Sequence, residues 1–365
     1  MDGAVEQLHS TYPELEAVRA AASEPVYVVG GAVRDLLLGR ERADLDLVVE
    51  GDAAALAARL GDGATEHGRF GTAKVELDGH EIDIASARSE TYARPGALPE
   101  VSVPATIEAD LGRRDFTINA MAIPLGGEAR LIDPHGGEAD LKAGLLRILH
   151  ERSFVDDPTR AIRAARYAAR FGFELEPETE RLLRAADLTA VSTDRSTAER
   201  MRLAGEPTAP EGFRLLGEWG LIDLREGGVE LARRVGELLE LPLWELRAER
   251  DQAVHAAAVE DPGGEVELAA AAPAKPSEAV ALATAHSAVE MVLARASGAD
   301  WLDEYLQRWS EVRLEIDGED MIAAGVTEGP AVGRGLAEAK RRKLDGEVEG
   351  REQELAAALA AARGA

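Results

Sequence analysis

The chain has no cysteine among its 365 residues. That absence excludes disulfides, thiolate nucleophiles and cysteine-ligated zinc, and it fits a cytoplasmic protein without requiring one. No run of about 18 apolar residues occurs, so no membrane-spanning helix is expected. The opening "MDGAVEQLHSTYPELEA" lacks the basic-then-apolar pattern of a secretory signal. Lysine is scarce, five of 41 basic residues, and the arginine bias reads as genome composition or adaptation to salt. Positive charge is also outnumbered, and the formal net charge is −27. Spread evenly, such an excess would argue against a nucleic-acid partner, because phosphate binding depends on basic surface. The basic residues are not spread evenly. They gather at Arg113-Arg114, at Arg160, Arg163, Arg166 and Arg170, and in "KRRK" at 340–343.

What is present is ordinary globular composition, 45% hydrophobic and 30% charged, on a length that suggests two or three domains. Between residues 25 and 150, "PVYVVG", "ADLDLVV", "AKVEL" and "HEIDIAS" read as strands, and "DAAALAARLG" reads as an amphipathic helix stopped by glycine. From about Asp157 the pattern turns helical. "DPTRAIRAARYAARFGF" starts with a good N-cap and a proline at the first helical position, and ends at Gly172. "PETERLLRAADL" and "PEGFRLLGEWGLI" follow as helices. The alanine-rich stretch from 250 to 299 reads as helices joined by exposed loops such as "EDPGGE". The fold expected is α+β: an α/β head with a mixed sheet, then an all-helical remainder.

The chemistry concentrates at "VVGGAVRDLLLGRERADLDLVV", residues 28–49. Side chains alternate along a strand, so Asp44 and Asp46 share a face. Two adjacent carboxylates repel unless a cation joins them, and a hard ion such as magnesium suits an all-oxygen site that also holds substrate phosphates. Two metals would clamp both oxygens of a phosphoryl displacement. Asp83 in "HEIDIAS" is a candidate third carboxylate. Gly30-Gly31 between strand and helix forms a backbone cradle for an anion, and Arg34 is placed to reach the same phosphates. Taken alone, each piece has a plainer account: a strand edge for D-x-D, a tight turn for the glycines, a surface charge cluster for Arg113-Arg114-Asp115.

Together these residues resemble the class II tRNA nucleotidyltransferase and bacterial poly(A) polymerase family, within the DNA polymerase β-like superfamily. The resemblance rests on "GGAVRDLLLGRERADLDLV" (30–48), "EIDIASARSETY" (81–92), "RRDFTINAMA" (113–122), "DPHGGEADLKAGLLRIL" (133–149) and "FVDDPTRAIRAARYAARFGF" (154–173). "STAERMRLAGE" (196–206) matches in part, and 314–339 and 344–355 are similar to the tail of tRNA-terminus-adding enzymes. It implies a nucleotidyltransferase head over 1–150, a nucleotide-selecting neck over 151–215, a body over 216–290 and a tRNA-binding tail over 291–365. It also implies that Asp44, Asp46 and Asp83 serve catalysis, with magnesium on Asp44 and Asp46. Gly30, Gly31 and Arg34 would hold the triphosphate. Arg114, with Asp115 and Asn119, would bind the nucleotide or order its pocket.

Base choice would fall to Asp157 and Arg160, three apart on a predicted helix and therefore on one face. Carboxylate acceptor and guanidinium donors together match the Watson–Crick edge of cytosine or adenine. Arg163 and Arg166 would extend the strip toward phosphate or stack under the base. Where the family has Glu-Asp, this chain has Asp156-Asp157. The segment from Arg88 to Asp110 is not visibly short, as it is in cytosine-only enzymes, and none of the seven histidines is followed by aspartate, so an HD phosphohydrolase motif is missing. The function expected is addition of CCA to tRNA from CTP and ATP, with tRNA bound along the neck arginines and the 340–343 run. An A-adding or CC-adding partner of a split pair, a poly(A) polymerase and an inactive RNA-binding relative stay open.

Overall fold

The computed structural model describes residues 2–40, 44–61, 65–67, 71–127, 130–260 and 263–363. Residues 41–43 inside the first motif and Asp261-Pro262 of the "EDPGGE" loop lie outside that set. The chain forms two compact units. The first comprises residues 1–203 with 211–222, and the second 204–210 with 223–365.

The first unit is built on a mixed six-stranded sheet of β1 (Val26–Val29), β2 (Leu45–Val49), β3 (Thr65–His67), β4 (Thr72–Leu77), β5 (His80–Ser86) and a last strand, Ala122–Pro124. A separate two-stranded hairpin, β6 (Ser89–Thr91) and β7 (Glu100–Ser102), precedes that last strand, which is therefore β8. The sheet order is β3-β4-β5-β2-β1-β8. All its neighbours are antiparallel except β2 and β5, which run parallel and place Asp46 directly opposite Asp83.

Leu45, Leu47 and Val49 point to one face of β2 and are buried, on the side where helices Gly31–Leu37 and Ala53–Leu60 pack against the sheet. Asp52 caps the second of these helices by accepting from the N–H groups of Ala54 and Ala55. Asp46 and Val48 share the opposite face. Val48 is covered by a cluster containing Val29, Ile107, Leu111 and Ala122, whereas Asp46 is exposed. The helix Ile107–Gly112 thus closes one end of that face and leaves the carboxylate end open.

Beyond the sheet, the helix Thr159–Phe171 ends at Gly172, whose φ of +68° suits glycine. Ala161, Ile162, Ala164, Ala165 and Ala168 are buried along it. The second unit is helical, as expected, and includes Gly228–Leu238, Arg250–Val259, Pro276–Thr284 and Ala288–Ala296. Its C-terminal part packs Pro330–Leu344 on Gly350–Arg363 around Met321, Ala339 and Ala358. A Cβ at Gly335 would fall 2.7 Å from the carbonyl oxygen of Ala358, so the close approach requires glycine. Three of the four cations in the basic run are ion-paired: Arg341 with Glu338 (2.8 Å) and Asp345 (3.0 Å), Arg342 with Glu338 (3.0 Å), and Lys343 with the fully buried Glu354 (2.6 Å). Among the described residues no helix is long and apolar enough to cross a membrane.

Candidate functional site

A cleft of about 850 Å³ opens within the first unit, and Gly30, Gly31, Arg34, Asp44, Asp46 and Arg114 contribute to its wall. So do Asp115, Asn119, Asp157, Arg160, Arg163 and Arg166. Every candidate residue except Asp83 is therefore brought to one cavity. Asp83 stands beside Asp46 in register, but its near neighbour is Lys74, whose Nζ lies 3.5 Å from Asp83 Oδ1. Lys74 sits opposite Asp83 on β4, so Asp46, Asp83 and Lys74 form a row across three strands. Although Asp46 reaches solvent, the protein packed around its carboxylate partly desolvates it and raises its pKa. The Arg114 charge opposes that rise, while the charges of Asp83 and Asp44 add to it. Among the described residues no group of three or more His, Asp or Glu side chains gathers closely enough to hold a metal by itself.

At the strand-to-helix turn, Gly30 has a φ of +64°, and a Cβ there would meet Arg114 Nη1 at 2.7 Å. The positive φ is what calls for glycine, and its bare Cα also leaves room for the guanidinium beside it. The N–H of Gly30 is spent on the Met121 carbonyl at 3.2 Å, so of the pair only Gly31 opens a helix first turn, where N–H groups have no intrahelical acceptor. Arg114 is aimed by Asp110, a fully buried carboxylate that accepts from Arg113 at 2.7 Å and from Arg114 at 2.9 Å. Burial works against ionisation of Asp110, yet the two arginine charges hold its pKa below the ordinary carboxylate value.

Arg34 is buried, and it is less available than its sequence position suggests. It donates to both oxygens of Asp35 (2.9 and 3.0 Å) and to Asn119 Oδ1 (2.7 Å), and it lies 4.6 Å from the Phe171 ring. Asn119 donates in turn to Asp115 Oδ1 at 3.0 Å, and Asp115 Oδ2 accepts from Arg163 Nε at 2.8 Å. Asp35, Arg34, Asn119, Asp115 and Arg163 thus form a continuous chain of donors and acceptors from the glycine turn to the helix Thr159–Phe171. Burial alone would raise the Asp115 pKa; the Arg163 charge and the bonds from Asn119 and Arg163 outweigh it and drive the pKa far down. Arg166 lies 5.1 Å from the Tyr167 ring.

The base-reading pair needs correction. Asp157 is not on the helix face but ahead of it, in extended conformation (φ −136°, ψ 92°), and it caps the helix by accepting from Thr159. Proline at 158 favours that extended residue before it. Arg160 is buried one turn on and donates to Ser153 Oγ and to the Arg113 carbonyl, both at 2.7 Å. The two do not pair with each other; Asp157 pairs with Arg195 at 3.0 Å. Pattern reading also passed over Arg88, Glu90 and Tyr92, which line the cleft from the hairpin. Glu90 accepts from Arg113 and from Tyr92, whose hydroxyl pKa is pushed up to about 12 by burial and by the Glu90 charge. The quoted motif 81–92 contains these residues, but only the fold brings them against Arg113.

Residues 26–147 match the family model described as the poly A polymerase head domain. Over 169 residues the chain is 50% identical to the A-adding tRNA nucleotidyltransferase of Aquifex aeolicus, a match covering 44% of this chain and 20% of that protein. The chain thus spans about a fifth of that relative's length. The CC-adding tRNA nucleotidyltransferase of Deinococcus radiodurans is 37% identical over 358 residues, 93% of this chain and 90% of the relative. Among solved structures, a CCA-adding enzyme in its apo form II superposes with a TM-score of 0.80 at 32% identity, over 98% of both chains.

Proposed function

This chain belongs to the tRNA nucleotidyltransferase family, and from that premise we propose that it adds the 3′-terminal CCA to tRNA, from CTP and ATP and without a nucleic-acid template. The observation that carries the proposal is the single cleft shared by Asp44, Asp46, Asp157 and Arg160, which joins the means for phosphoryl chemistry to a donor–acceptor edge for a base. In the reaction the RNA 3′ hydroxyl attacks the α-phosphorus. A new P–O bond forms, and the bond to pyrophosphate breaks.

Asp44 and Asp46 fit magnesium. Both donors are hard oxygens; desolvation first, and the charges of Asp83 and Asp44 after it, work against a lone Asp46 carboxylate, so a cation is the group that would relieve them. Two carboxylates without a third leave coordination positions for water and substrate phosphate, the usual arrangement for this ion. When bound, magnesium supplies positive charge against the reacting phosphate. Asp83 assists from the adjacent strand. The Gly31 turn would hold the triphosphate, with Arg34 beside it but donating first to Asp35 and Asn119, and Arg114 would contact the nucleotide, with Asp115 and Asn119 holding the pocket in shape. Asp157 accepts from the amino group that cytosine and adenine share, Arg160 donates to the ring acceptor beside it, and Arg163 and Arg166 continue the strip. Head, neck, body and tail divide at 150, 215 and 290 in this reading, and the activity belongs in the cytoplasm.

CC addition alone is the second reading, favoured by the near full-length match to a CC-adding relative. One experiment separates the two. Purified protein is offered tRNA ending before CCA, ending in C and ending in CC, each with CTP, ATP or both. Extension of all three substrates to CCA is the expected result. A stop at CC with both nucleotides present would establish the second reading, and addition only to the CC end would point to A addition. No extension by wild type would overturn both.

A further inference from the structure

The carboxyl group of Asp157 is held by a residue 38 positions away. Three bonds converge on its Oδ1: from the Thr159 N–H at 3.1 Å, the Thr159 hydroxyl at 2.7 Å and Arg195 Nη2 at 3.0 Å. The other terminal nitrogen of Arg195, Nη1, donates to the Gly96 carbonyl at 2.8 Å. Gly96 is itself fixed. Its N–H donates to the Val155 carbonyl at 3.1 Å, its φ is +66°, and a Cβ there would collide with the carbonyl of Ala190. One guanidinium therefore ties the turn between β6 and β7 to the residue ahead of the neck helix. No partner for Asp157 Oδ2 is found among the described residues, although the side chain lines the cleft.

We propose that Arg195 is a positioning residue for base choice: anchored on Gly96, it occupies Asp157 Oδ1 and leaves Oδ2 as the acceptor offered to the incoming base. The inference rests on the base-reading role proposed for Asp157. A carboxylate without such a hold can rotate and present either oxygen, or swing toward Arg160. Thr159 alone donates to the same oxygen but bears no charge. Arg195 adds a charge-assisted bond, the stronger kind, and its second bond fixes where the guanidinium stands.

The test is single-nucleotide addition to tRNA lacking CCA, with each of CTP, ATP, UTP and GTP, on Arg195→Met, Asp157→Ala and the double variant. Arg195→Met is expected to lose about tenfold of the discrimination against UTP and GTP, the worth of one charge-assisted bond, with KM for tRNA unchanged. Asp157→Ala should lose as much or more. The double variant should be no worse than Asp157→Ala, because a residue acting through another has nothing left to act on. Arg195→Lys, which keeps the charge but not the two-armed fork, should restore only part of the preference. If Arg195→Met stays within about twofold of wild type while Asp157→Ala loses discrimination, the role of Arg195 is overturned and base reading stands. If Asp157→Ala also keeps its preferences, base reading itself fails. A uniform slowing with all four nucleotides and a lowered melting temperature would mark Arg195 as merely structural. Should Arg195→Met fail to fold, Gly96→Ala attacks the same link from the loop side. It is expected to relax base choice in the same direction, and unchanged preference in that variant would equally overturn the proposal.

Discussion

Asp115 stands in the "RRD" motif, where it looks like one member of a surface charge cluster, yet only 6% of it is exposed. Its carboxylate serves Arg163, Asn119 and the Phe116 N–H at once. A depressed folded-state pKa means that Asp115 contributes stability above the unfolded value, near 3.9. That contribution is lost as pH falls through this value toward the lower folded one. Asp115→Asn should therefore lower the urea midpoint at neutral pH, because Arg163 loses its nearest counter-charge and keeps only Glu199, at 3.9 Å. About 2 kcal/mol is expected, less than the 3–5 of a fully buried pair because part of Arg163 reaches solvent. The same variant should show a flatter decline between about pH 5 and pH 3 than wild type. Equal acid sensitivity in the two proteins would show that Asp115 does not carry this part of the pH dependence.

At the scale of elements, the helix Ile107–Gly112 does two jobs. Leu111, with no exposed surface, covers Val29 and Val48 beside the carboxylate strand. Asp110, one residue earlier, aims Arg113 and Arg114. Thr106 accepts from the Ala109 N–H to start this short helix, and Glu50 accepts from the Ile107 N–H at 2.6 Å. Leu111→Ala should cost about 2–5 kcal/mol, as large-to-small changes in packed cores do. It should also slow nucleotide addition, because a shifted helix misplaces Asp110. Denaturant unfolding and the addition assay, run on the same preparation, check both halves. Loss of stability at full activity would mean that the helix only covers the sheet.

For the whole molecule, the division into units follows contacts rather than chain order. Residues 204–210 belong to the second unit, and 211–222 return to the first. Phe213 and Leu216, both without exposed surface, lie in that returning segment, and Gly212 is close enough to Leu203 that a Cβ would overlap it. A fragment of residues 1–222 should therefore melt cooperatively. One of residues 1–203 should lose the burial of two large side chains, about 1.5–3 kcal/mol each, and show a lower or broadened transition by circular dichroism. Equal melting of the two fragments would remove 211–222 from the first unit's core. The net charge of −27 also acts at this scale. Three of the four cations at 340–343 are already matched by carboxylates, so that run is no concentrated counterweight to it.

Much of this protein could be read from its residues because the signals are local. The strand, glycine turn, helix and second strand between 26 and 49 are set by apolar alternation and a positive φ. The strand His80–Ser86 is likewise a matter of alternation. The helix after Pro158 announces itself by its cap and by Gly172, and the second unit by alanine-rich helical spacing. The three-residue strands β3, β6, β7 and β8 were not legible, since so short a run has no period to detect. They are strands because a partner supplies hydrogen bonds. The site divides in the same way. Residue type and spacing marked Asp44 and Asp46, because those carry the charge that the chemistry demands, and the family resemblance marked Arg114, Asp157 and Arg160. Tertiary structure alone decided what each candidate meets: Arg34 is spent largely on Asp35 and Asn119, Asp83 faces Lys74, Asp157 meets Arg195 rather than Arg160, and Arg341, Arg342 and Lys343 are paired with carboxylates. A side chain's type fixes what it can bond to, but its partners are chosen by whichever distant donors and acceptors folding brings within about 3 Å.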